Sequence, residues 1–364
     1  MPLTWNDIDS KTTEFIIPRL YDMIFKSSPL LTRLRTKNNM LFEGGTFIKQ
    51  PFIYDYLNGG AYAEGADFNT IGKDGAVVTN GIAYVQTDTA LRFDIKKYEV
   101  NVTIQGGDAV LQAGPETVMS YSETKLVNAA GTMARYIGKD LFFGGSGAGT
   151  DTSALAINGL AIPISNAVAY PKTGGVLAGI PAANPGLLAY GTVLKTDIID
   201  IDTGTNYVPS KNNTGLAGGV YGSAAAGAIT NQEMQEAYGG ATYGNSQPDL
   251  IVTTQPLWNS ISNAQMLNRR YVPEDVDICK VGFMALQYMG AAVVVDQYAP
   301  AGYAWFLNTD YLQFWTTKLP KYSFGWSGWK HAQNNDNQVA QYFWAGNLVV
   351  NQPRLFSVID ANAA

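Results

Sequence analysis

Residues able to do chemistry are few in this chain. The only histidine is His331 and the only cysteine is Cys279. Serine and cysteine nucleophiles ordinarily need a histidine base. His331 lies in Lys330-His331-Ala332-Gln333-Asn334-Asn335-Asp336, a polar stretch that reads as a solvated loop. One His and one Cys cannot assemble the common zinc cage, and a lone Cys closes no intrachain disulfide. Cys279 reads as a small buried hydrophobe. Asp197, Asp200 and Asp202, with Ile198, Ile199 and Ile201 between them, come nearest to a cation site. On a strand Asp200 and Asp202 share a face, and Ca²⁺ takes several oxygen ligands. The spacing is not that of an EF-hand loop, and a half-buried strand with a charged outer face accounts for it as well. Gly144-Gly145-Ser146-Gly147-Ala148-Gly149-Thr150 has the glycine content of a phosphate loop but lacks its Lys and follows a helix, so it reads as a helix stop and linker. Trp305, Trp315, Trp326, Trp329 and Trp344 could stack on sugar rings. Cleaving a glycoside needs two carboxylates across a cleft, and no paired Asp/Glu motif marks one. Aromatics at alternating spacing more often serve a core or a subunit interface. The expectation is a protein with no catalytic residue, cofactor or metal.

The elements that must position these side chains follow from pattern. Residues 5–38 form a helix-and-arm region, with Phe15, Ile16, Leu20, Met23 and Ile24 on one stripe. Ser28-Pro29 breaks it and Leu30-Leu31-Thr32-Arg33-Leu34 starts a second short element. Thr46–Tyr54 is β-rich, and a return strand carries Ile82 and Tyr84, then Leu91, Phe93 and Ile95 at period two. The intervening Gly, Ala, Asp and Asn make a loop too long for an ordinary compact domain, so the segment reads as an excursion reaching a neighbour. Phe52, Tyr54, Tyr56, Tyr84 and Phe93 are its candidate assembly residues. Pro115-Glu116 opens the clearest helix, which runs to Phe143. Met119, Leu126, Met133, Ile137 and Leu141 are its core stripe. Gly131 and Gly138, seven apart, would permit close approach of another element. Further on, 165–230 is rich in Gly, Ala, Pro and Asn. Short helices are expected at 232–238 and 256–267, and strands at 249–254 and 291–296. The last segment alternates aromatic and polar residues and reads as strands forming one sheet over the long helix.

Composition bounds the rest. Only 15% of residues are charged, against the usual ~25%. Surfaces poor in Lys and Glu suit burial against a partner. A net charge of −6 argues against a sequence-independent nucleic-acid binder. No stretch matches a membrane span or a signal peptide, so the expectation is synthesis in the cytoplasm and no membrane partner.

The order of these parts resembles the Hong Kong 97-type major capsid proteins of tailed bacteriophages. The residues that carry the resemblance are Ser28-Pro29-Leu30-Leu31-Thr32-Arg33-Leu34, then Gly44-Gly45-Thr46-Phe47-Ile48 with Pro51 and Tyr54. Further on come Asp249-Leu250-Ile251-Val252-Thr253, Gly282-Phe283 and Gly290-Ala291-Ala292-Val293-Val294-Val295-Asp296. The last is Gly302-Tyr303-Ala304-Trp305-Phe306-Leu307-Asn308-Thr309-Asp310-Tyr311-Leu312. Each stretch is short, and their order is the stronger signal. The resemblance implies an α+β fold with an N-terminal arm at 1–39 and an E-loop-like hairpin at 40–98. It places a P-domain spine helix at 99–150, an A-domain-like α+β unit at 151–300, and P-domain strands at 301–364. The Gly-rich 165–230 departs from the compact A-domain pattern. The function implied is self-assembly into pentamers and hexamers of an icosahedral head enclosing double-stranded DNA, without sequence-specific contacts. Implied partners are further copies of the chain, a portal and a separate scaffolding protein, since the arm begins almost at Met1. An encapsulin-type compartment shell and a carbohydrate-binding or carbohydrate-cleaving β-rich protein are the alternatives.

Overall fold

The computed structural model describes residues 24, 28–37, 39–53, 61, 62, 64, 88–106, 115–144, 155–164, 189, 190, 193, 194, 199, 200, 205, 206, 219–222, 229–264, 285–333 and 335–361. In chain order its elements are α1 (Pro29–Lys37), β1 (Asn39–Phe42), β2 (Phe47–Ile53), β3 (Asp88–Asp94), β4 (Lys96–Gln105), α2 (Pro115–Phe143) and α3 (Ala161–Ile164). Short strands β5 (Ala189–Tyr190), β6 (Val193–Leu194), β7 (Ile199–Asp200), β8 (Thr205–Asn206) and β9 (Gly219–Gly222) follow. Then come α4 (Asn231–Gly240), β10 (Leu250–Thr253), α5 (Gln255–Ala264), β11 (Ala285–Tyr288), β12 (Ala291–Val295) and β13 (Tyr303–Leu307). The chain closes with β14 (Leu312–Thr317), β15 (Ser323–Trp326), β16 (Lys330–His331), β17 (Asn337–Val350) and β18 (Ser357–Asp360).

The first sheet is organised by β17. It pairs antiparallel with β4 from Asn337↔Gln105 to Gly346↔Lys96. It also pairs in turn with β16, β15 and β14, and β1 adds parallel to β14 at the edge. Strand β4 turns Tyr98, Val100, Val102 and Ile104 inward and leaves Lys97, Glu99, Asn101 and Thr103 in solvent. That alternation is the signature of a strand with one covered face. The cover is α2, whose Leu126, Met133, Ile137 and Leu141 are at most 1% exposed. Trp344 sits at the centre of this layer, stacked on Phe314 at 5.3 Å and ringed by Tyr98 and Phe324.

The second sheet runs β11-β12-β10-β13-β18-β9. Strands β10 and β12 are parallel, β13 is antiparallel to both β10 and β18, and β18 is parallel to β9. Both faces are covered. Leu250, Val252, Trp305, Leu307 and Val358 join one apolar cluster with α1 and α2. Ile251, Ala304, Phe306 and Ile359 join a second cluster with α4 and α5. Coverage on two sides is why these strands read as unbroken apolar runs. Helix α4 begins with a capping box: Thr230 Oγ1 accepts the Glu233 N–H and the Glu233 carboxylate accepts the Thr230 N–H.

Two expectations are corrected. The strands of 301–364 do not form one sheet: β13 and β18 belong to the second and β14–β17 to the first. The run Tyr303-Ala304-Trp305-Phe306-Leu307 is buried throughout, so it needs a two-sided cover that the first sheet lacks. Strand β4 occupies ten residues that the sequence reading split between the excursion and the long helix. Of the two helical glycines, only Gly138 seats another element. A β-carbon there would collide with the Tyr298 ring, whereas nothing lies within 4 Å of a β-carbon at the exposed Gly131. Gly131→Ala is therefore expected to stabilise the protein by about 0.5–1 kcal/mol through helix propensity. Gly138→Ala should destabilise it by about 1–3 kcal/mol through overpacking. Urea denaturation of the two variants checks the pair, and equal signs would refute this account of α2.

Candidate functional site

Among the described residues, a dense polar network lies where α1 meets the second sheet. Asp249 immediately precedes β10 and Asp296 immediately follows β12, so they mark opposite ends of a parallel strand pair. Ser28 caps the start of α1: its Oγ accepts the Leu31 N–H at 3.3 Å and its carbonyl takes the Thr32 N–H. The Ser28 hydroxyl donates to Asp296 Oδ2, and the Leu30 N–H reaches the same oxygen at 3.5 Å. The Tyr298 N–H donates to Asp296 Oδ1 at 2.9 Å. At the other end Arg33 and Lys37 reach Asp249 Oδ2 at 3.1 and 3.4 Å. Asp249 also accepts the Thr309 N–H at 2.7 Å and the Thr309 hydroxyl. Lys37 makes a further ion pair with Asp310 at 2.7 Å. Helix α1 thus runs antiparallel to β10 and β12, and its ~13 Å length matches the ~13–16 Å of strand beneath it. Leu30, Leu31 and Leu34 fill the space between the two pins and are fully buried.

The two carboxylates titrate in opposite directions. Burial pushes Asp296 up, and its hydrogen bonds from Ser28, Tyr298 and Leu30 offset this only in part. Burial would also raise Asp249, but the Thr309 donors, Arg33 and Lys37 outweigh it and hold the carboxyl below its ordinary value. An acid lowered in the folded state contributes stability above its unfolded pKa of about 3.9, lost as pH falls through the folded value. An acid raised in the folded state costs stability as pH rises through the folded value.

The hairpin of β2 and β3 is the second candidate region. Its inner face holds Ile48, Leu91 and Phe93, each at most 3% exposed in the core. Phe93, expected at an assembly contact, therefore packs inside the subunit itself. Phe52 lies on β2 in register with Thr89, and Tyr54, Tyr56 and Tyr84 lie outside the described residues. Met119 is on α2. The outer face carries Phe47 with Lys49 and Arg92, whose charged groups stand 5.4 and 5.2 Å from its ring centre.

Among the described residues, those singled out for chemistry do not converge. His331 is on β16, paired with β17 rather than in a loop, and its Nε2 lies 3.9 Å from the exposed Asp336. Asp200 is on β7, while Asp197, Asp202, Cys279 and 145–150 lie outside the described residues. Among the described residues no three His, Cys, Asp or Glu side chains are grouped to hold a metal. None of the described helices is long and apolar enough to cross a membrane. Trp305 and Trp344, two of the five candidate sugar platforms, are fully buried.

No protein-family profile matches the sequence, and no curated protein does. Solved structures do match. The capsid asymmetric unit of cyanophage A-1(L) has a TM-score of 0.57 at 16% identity, covering 92% of this chain and 93% of that one. The capsid of the native GTA particle has a TM-score of 0.51 at 10% identity, covering 92% and 91%. A weaker likeness, TM-score 0.47 at 9% identity over 90% and 85%, is to the SrpI encapsulin of Synechococcus elongatus. The chain has the fold of a phage-capsid subunit along nearly its whole length, α+β as the sequence reading expected.

Asp249→Asn is expected to lower stability at pH 7 by about 1.5–3 kcal/mol, the worth of hydrogen bonds to a charged group. The deficit should shrink as pH falls below about 4. Thermal melting across pH checks this, and a deficit independent of pH would refute the role given to the carboxylate charge.

Proposed function

We propose that this chain is the major capsid protein of a tailed phage, a shell subunit that assembles into pentamers and hexamers around double-stranded DNA. The observation that carries the reading is the capsid fold shared with the cyanophage structure over 92% of this chain. Under it, α2 with the first sheet is the P-domain and its spine. The second sheet with α4 and α5 is the A-domain, the β2–β3 hairpin the base of the E-loop, and the segment leading into α1 the N-arm. The subunit performs no catalysis and needs no cofactor. Its partners are further copies of itself, a portal, a separate scaffolding protein, and DNA enclosed without sequence-specific contacts. It resides in the virion.

Physical features support this. Rings of identical subunits need heterologous contacts that close, and such contacts call for surface that the subunit does not use for its own core. Two neighbouring residues of edge strand β1, Met40 and Leu41, are 41% and 54% exposed. An exposed apolar edge strand is a liability in a lone monomer and an asset in a shell.

The purified chain, with scaffold supplied, is expected to form particles or capsomers eluting far above its 39.3 kDa and visible by electron microscopy. A monodisperse monomer at every salt and protein concentration tried would overturn the proposal. Replacing residues 57–80 by a short turn should leave the melting of the unassembled subunit little changed while shell yield falls. Lost folding, with normal assembly of whatever survives, would remove that segment from the interface.

A further inference from the structure

We propose that the outer face of the β2–β3 hairpin is an ionic docking site for an acidic surface of a second copy of this chain. The inference rests on the shell reading above and specifies the chemistry of one of its contacts. Lys49 and Arg92 face each other directly across the hairpin in register. Like charges in that position repel, and a two-stranded hairpin has little stability to spare. The pair cannot relax by rolling inward, because the opposite face, Ile48, Leu91 and Phe93, is locked in the core. Both cations are exposed and lean over the single Phe47 ring, which fixes them side by side. Two acids share the outer-face register, Asp94 opposite Phe47 and Asp88 opposite Ile53 at the far end of the hairpin. Neither cation is ion-paired among the described side chains. The hairpin therefore sets two cations side by side over one ring, with no ion-pair partner among the described residues.

The occupant follows from charge. The chain has 30 Asp and Glu against 24 Lys and Arg, a net −6, so another copy is itself an acidic partner, present at equal concentration wherever subunits assemble. Complementary potentials steer such encounters and fix their register. Contact through side chains also suits β2, because Pro51 lacks the N–H with which an edge strand accepts a further strand. DNA is the less suitable occupant, since its binding strength grows with the number of phosphates neutralised and two cations neutralise few.

The test compares full-length wild type with Lys49→Glu/Arg92→Glu and with Lys49→Gln/Arg92→Gln, freed of nucleic acid by nuclease treatment. Two quantities are read: the melting temperature of the unassembled subunit, and the critical concentration for assembly from about 50 to about 500 mM NaCl. In the Gln variant melting should be unchanged or higher, because a repulsion has been removed, whereas the Glu variant keeps a like-charged pair and should melt no higher than wild type. The Glu variant should need about tenfold more protein to assemble at low salt, and the Gln variant should lose most of the wild-type salt dependence. If wild type assembles and both variants match it at every salt, this proposal fails and the shell reading stands. Variants that assemble as wild type does but bind added double-stranded DNA less tightly would assign the face to nucleic acid and overturn it too. A wild type that never assembles overturns both readings.

Discussion

Fourteen residues of one strand set the constraint on which the rest of the first layer depends. Strand β17 is long enough to pair with β4 along one edge and with β16, β15 and β14 in succession along the other. Segments from positions near 100, 315, 325 and 330 can meet only through it. Its buried Asn347 extends the tie beyond the ladder: the side chain accepts the Asn158 N–H at 2.9 Å and donates to the Asp94 carbonyl at 2.8 Å. The loop after α2 and the end of the hairpin are thereby fixed to the same point. An amide at this position must be fully bonded, because a buried unsatisfied polar group costs as much as several good contacts contribute.

Helix α2 then serves two sheets at once. Its middle covers the first, and its last turn carries Phe142 and Phe143 against Trp305 of the second, with ring centres 5.7 and 5.9 Å apart. One apolar cluster consequently runs from α1 through the hairpin and α2 into both sheets. Asp140 closes the helix end in this cluster, accepting the Tyr98 hydroxyl, which in turn accepts the Ile157 N–H. The geometry joins rigid parts and leaves the outer hairpin face and the β1 edge outside the core.

How much of this was legible in the sequence depends on whether the signal is local. The α2 stripe and its Pro and Gly boundaries were readable, because helix period and caps are encoded within a few residues. The alternation of Tyr98, Val100, Val102 and Ile104 is equally local, but it lies just ahead of a much stronger helix signal. Which sheet β13 joins was not local: the choice depends on Leu250–Thr253 lying beside it. The polar network shows the same limit. Ser28, Arg33, Asp249, Asp296 and Thr309 all fall within the stretches that carried the resemblance, yet nothing near Ser28 in sequence announces an aspartate 268 residues away. The hairpin's basic pair is hidden in the sequence for a related reason. Lys49 and Arg92 become a site only when register places them opposite each other.

The separation between the partners of α1 has a consequence in time. At a synthesis rate of roughly 5–20 residues per second, the 268 residues between Ser28 and Asp296 take about ten seconds to a minute to emerge from a ribosome. Strand β1 waits longer for β14. Throughout that interval the leucines of α1 have no sheet to lie on and the edge of β1 has no neighbour. The N-terminal residues must therefore spend the early life of every chain as adhesive surface in a crowded polysome, where other nascent copies offer the same unfinished edges.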